Sequence, residues 1–429
     1  MKKRDLLKVA STVLVVLALV ALMAGGCGND QAGVAPGEDP IIIGAALPTG
    51  FLYGWAADRG IKLAAEEINA AGGVNVGGVM RPLRVETLDT RDLEPAVPVS
   101  DALSAVERPI MDRNADFLIG GPARSEAALA AMDRISRHET VSIFTTGFLS
   151  GAFQERMAED YDTHKYSFRI SGSAGTMVGE MLALFDQLEQ DHGFDKVAIM
   201  VQDVAHARGG GDIMAAQLEA RGWDVTGPRV YPTGTLDYSD GLFRARDFGA
   251  QVLFVWMDMP ESSILLRQWH DNEIPALPIG FICAAEQPDF WDATDGKGEF
   301  AIAHLVNAGN APCEATSLTM GFAEAYEAKW GLQPEGYGTS SSYQAVYTLV
   351  DAIERAGSID ADAVISALEA TDMEGVYGRV RFDNHQIIPS LDPADGATPQ
   401  VIQWQAGTRE TVFPPAITTS DLQLPPWMR

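Results

Sequence analysis

The stretch Gly120-Gly121-Pro122-Ala123-Arg124-Ser125 is the segment of this chain best suited to chemistry. It joins an apolar run, DFLIGG (116–121), to an amphipathic segment that begins at Ser125. Glycines there let backbone N–H groups approach an anion, and a helix N-terminus carries partial positive charge. Such residues suit capture of a carboxylate. The competing assignments are that Ser125 caps its helix and that Arg124 points to solvent. Other motifs offer less. Gly209-Gly210-Gly211 lacks the Lys-Ser/Thr of a phosphate cradle and reads as a turn opening a helix. Ser340-Ser341-Ser342 has no basic partner in sequence reach, G-x-S-x-G does not occur, and the seven His show no metal-ligand spacing. No catalytic residue, metal or cofactor is therefore expected, and the chain reads as a binder rather than an enzyme.

The elements that must position such a loop alternate regularly. Strands are expected at IIIGAAL (41–47), LRVETLD (83–89), DFLIGG (116–121) and VSIFTT (141–146), with helices over 60–73, 96–113 and from Ser125 to about His138. After KYSFRI (165–170) a second series begins. Strands KVAIMV (196–201), DVTGPRV (224–230), AQVLFVW (250–256) and LPIGFI (277–282) are separated by helices at 210–221, 240–248 and 260–272, behind a helix at 174–191. A strand-like AIAHLVN (301–307), helices at 319–330, 338–356 and 360–370, and strands VYGRVRF (376–382) and VIQWQ (401–405) complete the chain. Strict alternation of strand and helix predicts parallel sheets covered on both faces. The fold class is therefore α/β: two doubly wound parallel-sheet lobes, with a ligand cleft where the carboxyl ends of their strands face each other.

The N-terminus places this body outside the cytoplasm. Lys2, Lys3, Arg4 and Lys8 precede an apolar run from Val9 to Met23 and then Ala24-Gly25-Gly26-Cys27, the layout of an export signal. Residues 1–26 are read as the signal peptide and 27–40, rich in Gly, Pro, Asp and Asn, as a flexible tether. The Gly-Gly-Cys junction resembles a bacterial lipobox, with Cys27 as the lipidated first residue; an ordinary signal beside a chance cysteine is the alternative. The formal charge is −28, and cleavage before Cys27 makes it three units more negative. That field disfavours phosphate backbones and anionic headgroups, so no nucleic acid is expected, and no membrane contact except through the anchor. With Cys27 lipidated, Cys283 and Cys313 form one even pair in an oxidising compartment. A bridge there closes a loop of about 30 residues, worth roughly 3–4 kcal/mol; two buried free thiols are the alternative.

Ordered blocks give the chain a family likeness. PTGFLYGWAADRGIKLAAEEINAAGGV (48–74), LRVETLDTRD (83–92), FLIGGPARSEAALA (117–130), SSYQAVYTLVDAIERAGSID (341–360) and VIQWQ-x-G (401–407) resemble, in the same order, blocks of type I periplasmic binding proteins of the branched-chain amino-acid receptor family. The likeness implies three crossings between lobes, near 165–170, 299–309 and 373–381. Lobe one would then hold 41–165 plus 310–372, and lobe two 171–298 plus 382–429. It also implies capture of a small solute by a monomer and delivery to the permease of an ABC importer. A sensor docking on a signalling receptor and a secreted hydrolase are the alternatives.

The resemblance further implies where the ligand would sit. The loop bearing Arg124 and Ser125, with Thr145-Thr146-Gly147-Phe148 after the next strand, would grip a carboxylate. Tyr53 and Trp55, placed in the first loop, would cover the ligand, although Trp55 could instead pack under the first helix. Lobe two departs from the family pattern: His206 and Arg208 stand in place of Tyr-Gly, Trp256-Met257-Asp258 in place of another Tyr, and Phe281-Ile282 where an acid often receives an ammonium. Asp258 or Glu286 would replace that acid. Trp55, Phe148, Trp256 and Phe281 would line an apolar pocket or simply belong to the core. The ligand is thus expected to be a small carboxylate: an apolar, branched-chain or aromatic amino acid, or a related organic acid.

Overall fold

The structure is a computed structural model that describes residues 39–428 apart from Pro95. The signal peptide, Cys27 and nearly all of the tether lie outside the described residues.

The chain opens with β1 (Ile41–Leu47), α1 (Leu52–Ala70), the hairpin β2 (Val74–Val76) and β3 (Val79–Arg81), and β4 (Leu83–Asp89). It continues through α2 (Val99–Arg113), β5 (Phe117–Gly120), α3 (Ser125–Arg137), β6 (Ser142–Phe144), α4 (Ala152–Glu159), α5 (Tyr161–His164) and β7 (Ser167–Arg169). The next stretch holds α6 (Ala174–His192), β8 (Lys196–Gln202), α7 (Ala205–Ala220), β9 (Asp224–Tyr231), α8 (Ser239–Phe248), β10 (Val252–Met257) and α9 (Ser262–Asp271). β11 (Leu277–Ile282), α10 (Cys283–Glu286), α11 (Phe290–Ala293) and β12 (Ile302–His304) follow. The last elements are α12 (Thr319–Trp330), α13 (Thr339–Ala356), α14 (Ala361–Glu369), β13 (Asp372–Gly375), β14 (Gly378–Asp383), β15 (Gln386–Ile387), β16 (Val401–Gln405) and β17 (Thr408–Phe413).

Two large sheets result, ordered β13-β14-β15-β7-β6-β5-β1-β4 and β17-β16-β12-β11-β10-β8-β9. Their central strands are parallel, whereas β13–β15 and β16–β17 add antiparallel edges. β1 shows why the first sheet forms. All seven residues of IIIGAAL are buried, and they pair in parallel with Leu83–Asp89, as expected of a β-branched strand covered on both faces. In lobe one α13 packs along α1, with Tyr343, Val346, Val350 and Ile353 on its buried side and Gly357 ending it at φ 61°. Among the described residues no helix is long and apolar enough to cross a membrane.

Five features differ from the sequence reading. β13, β14 and β15 all join the first sheet, so the last crossing follows Ile387 and residues 382–387 belong with lobe one. The expected strand 376–382 is a hairpin instead, turning at Val376-Tyr377. α1 starts at Leu52, which moves Tyr53 and Trp55 from a loop onto a helix's first turns. α7 starts at Ala205, so the triple glycine lies inside a helix. A Cβ on Gly210 would stand 2.4 Å from the Trp256 ring, so close packing of that indole, rather than a turn, explains the residue. The expected bridge does not form either. Cys283 and Cys313 are both free and buried, and they belong to different apolar clusters, one around β11 and the other in lobe one.

Candidate functional site

Loops at the carboxyl ends of β1, β5 and β6 face those after β8, β10 and β11, and the two lobes meet there. Tyr53, on the first turn of α1, lies 4.7 Å from the Tyr337 ring and 6.3 Å from Phe281 of β11. Trp256 in turn lies 6.2 Å from Phe281. The four aromatics belong to one buried cluster that spans both lobes.

Lobe one contributes mainly hydroxyls and backbone. α3 carries no side-chain cap: Arg124 occupies the N-cap position and half-buried Ser125 is the first helical residue. Its first-turn N–H groups therefore lack intrahelical partners. The Arg124 N–H itself donates to Asp92 Oδ2 at 2.6 Å. The Arg124 guanidinium lies within reach of Val97 O and Glu126, and its Nε is buried without a partner. In the loop after β6, Thr145 is held from behind, because Ser341 donates to its carbonyl and Ser342 to its hydroxyl, both at 2.7 Å. That explains the serine triplet: it moors the loop to α13. Thr146 is fully buried, and its Oγ1 has no partner. Gly338 (φ 109°) makes room for that hydroxyl, since a Cβ there would come within 2.9 Å of it.

Lobe two contributes carboxylates. Glu286, at the end of α10, is fully buried. Its Oε2 accepts from the Tyr337 N–H at 3.3 Å, and its Oε1 has no partner. Burial pushes its carboxyl well above the usual range, against the pull of the Tyr337 N–H, and the charge of Asp258 adds to the rise. Asp258, just beyond β10, takes the half-buried His206 on Oδ2 and has no partner on Oδ1. For His206, burial works to lower the imidazole pKa, but the charge and hydrogen bond of Asp258 outweigh it and the net shift is upward. The Tyr53 hydroxyl and Trp256 Nε1 are buried without partners as well. Burial raises the Tyr53 phenol, reinforced by its acidic neighbours Cys283, Glu286 and Asp258, so it stays neutral and able to donate.

The structure thus brings Tyr53, Thr146, Trp256, Asp258 and His206 to the meeting of the lobes, with Ser125 at an uncapped helix start. It does not bring the others. Phe148 (φ 51°) turns into the lobe-one core, 4.9 Å from Phe144 and 5.6 Å from Phe153. Trp55 is covered by the Arg59 guanidinium at 4.5 Å, and Arg59 pairs with Glu335 at 2.6 Å. Exposed Arg208 pairs with Asp203. Sequence reasoning missed Tyr337, although Gly336-Tyr337-Gly338 before α13 carries the same signal that marked Tyr53, an aromatic beside glycine at a helix start.

One residue clamps the lobes. Arg409 of β17 is buried and donates to Glu286 O and Asn310 O at 3.0 and 3.1 Å. It also reaches Gln333 Oε1 and Pro334 O in lobe one, both at 3.0 Å. Among the described residues no cluster of His, Cys, Asp and Glu is arranged to hold a metal ion. The cleft instead presents buried, unpartnered groups of opposite kinds. Each would cost about 1–3 kcal/mol if left unsatisfied, so the arrangement suits a small ligand with donors at one end and acceptors at the other.

Comparisons with known proteins agree with this architecture. A "Leu/Ile/Val-binding protein homolog 7" from Brucella abortus is 26% identical over 92% of this chain and 96% of its own length. The crystal structure of a branched-chain amino acid ABC transporter protein from Silicibacter pomeroyi superposes with a TM-score of 0.78 at 20% identity, over 91% of this chain and all of the other. The substrate binding protein LivJ from Streptococcus pneumoniae, solved with isoleucine, gives 0.69 at 20% identity, over 88% of this chain and all of the other. The family model described as "Periplasmic binding protein" matches residues 48–394, so with two α/β lobes closing on one cleft the chain belongs to the periplasmic binding protein family.

Proposed function

We propose that the chain is an extracytoplasmic solute-binding lipoprotein, anchored through Cys27, that captures an apolar amino acid and delivers it to an ABC importer. The observation that carries this reading is the opposed set of unpartnered atoms in the cleft: the Thr146 hydroxyl and the uncapped start of α3 in lobe one, and Glu286 Oε1 and Asp258 Oδ1 in lobe two. A zwitterion satisfies both ends at once, its carboxylate on the hydroxyls and N–H groups and its ammonium on the carboxylates. Charge-assisted bonds of this kind are about twice as strong as neutral ones. Tyr53, Trp256, Phe281 and Tyr337 would enclose an apolar side chain. A relative named as a Leu/Ile/Val-binding protein homolog and a structure of this fold solved with isoleucine support the same class.

A thermal-shift panel tests this. Ligand at about 100 times its dissociation constant adds roughly 2.7 kcal/mol to stability. Apolar amino acids should raise the melting temperature, and their deaminated acids should not. Stabilisation by the deaminated acids alone would replace the amino acid with an organic acid. Aromatic acids would then come first, because two solved structures of this fold hold benzoate and 3,4-dihydroxybenzoic acid. Mass spectrometry of the membrane fraction should find a diacylated peptide starting at Cys27.

A further inference from the structure

Arg169, the last residue of β7, is a guanidinium with no accessible surface and no ion pair among the described residues. Every acceptor it has is neutral. Nη1 donates to Phe148 O at 2.7 Å and Ser150 O at 2.8 Å, Nη2 donates to Gln154 Oε1 at 2.9 Å, and Nε donates to Gln386 Oε1. The rings of Phe153 and Phe148 lie 4.7 and 5.4 Å from its centre. Burial lowers its pKa to about 9, which still leaves it charged at neutral pH. A buried cation is expensive to leave without an anion. Two of its bonds end on the loop that continues from Thr146, and its charge is felt at the Tyr337 phenol in the cleft.

We propose that Arg169 is the positioning residue for the ligand's carboxylate: it fixes the Thr145–Ser150 loop from behind and supplies, without contact, the positive field against which that carboxylate binds. The proposal rests on the amino-acid reading above. It assigns the cleft a built-in dipole, with Arg169 behind the lobe-one loop and Glu286 and Asp258 on lobe two.

The test neutralises the field without removing the anchor. Gln154→Glu puts a carboxylate where Arg169 already donates, so the loop stays tied while the cation acquires a fixed partner. Calorimetric titrations would compare L-leucine with L-leucinamide and L-phenylalanine with L-phenylalaninamide, on the wild type, Q154E and R169M. Wild type should prefer each acid to its amide. Q154E should lose about tenfold in affinity for the acid and less than about twofold for the amide, with an unlowered melting temperature. R169M, which loses both anchor and charge, should lose more for the acid than Q154E does. An unchanged acid-to-amide ratio in Q154E, or equal losses for both probes, would overturn the role of Arg169 while leaving the amino-acid reading intact. A wild type that fails to prefer the acids would overturn both.

Discussion

The two faces of the cleft are built from different materials. Lobe one offers backbone and hydroxyls: the uncapped α3, Thr146, and a loop moored by Ser341 and Ser342. The groups it turns to the cleft are neutral, and the buried cation Arg169 is hidden behind the loop. Lobe two offers carboxyl groups just beyond strand ends, Glu286 and Asp258, among large aromatics. The neutral face is held from within its own lobe, through Ser341 and Ser342. The charged face carries the desolvation penalty and therefore most of the specificity.

Substitutions can break or sharpen that contrast. The largest effect should come from Glu286→Gln. Removing the fully buried carboxyl that would receive the ligand's ammonium should weaken amino-acid binding by about 2–4 kcal/mol, measured by calorimetry. The same change should leave the ligand-free protein equally or more stable, because the carboxylate no longer has to be desolvated. A large loss of ligand-free stability would show that Glu286 is chiefly structural.

Gly210→Ala probes the aromatic part of the same face. Its Cβ would sit 2.4 Å from the Trp256 ring, and overpacking of this kind costs about 1–3 kcal/mol in urea denaturation. Unchanged stability would mean that the indole has room to shift. On the neutral face the effect should be smaller. Thr146→Val keeps the shape and removes one hydroxyl, so affinity should fall by about 1 kcal/mol while ligand-free stability holds or rises.

The smallest expected effect is one of pH. The folded imidazole of His206 titrates above its ordinary value of 6.5, because the charge and hydrogen bond of Asp258 outweigh burial. A raised value means that the stabilisation is fully present below about 6.5 and is lost as pH rises through the folded value. The melting temperature of the wild type should therefore exceed that of H206Q most at pH 6, and the gap should close on the alkaline side. A gap that is constant with pH would remove the ionic component of the pair.

The neutral face was also the more legible one. Strand, glycine turn and helix start follow in order along the chain, so Ser125 and Thr146 stand out from their neighbours. Phe148 misled because its positive φ, which turns the ring inward, leaves no mark in its residue type. On the charged face the informative residues come from strand ends far apart in sequence, and Asp258 and Glu286 could be named only as alternatives. The triple glycine was misread because its reason is the ring of Trp256, 46 residues on. The pairing of Cys283 with Cys313 followed from an even count, but each thiol packs in a different core. The last crossing was placed early because short antiparallel edge strands such as β13–β15 follow no alternation rule.

The Arg409 clamp also bears on how the solute leaves. Its guanidinium spans Glu286 on one side and Asn310, Gln333 and Pro334 on the other, so separating the lobes strips a desolvated cation of acceptors. Part of the grip on the solute is therefore the protein's grip on itself. A partner that unloads the cleft must work against that clamp as well as against the solute's own bonds, and the rate of unloading then depends on a residue the solute never meets.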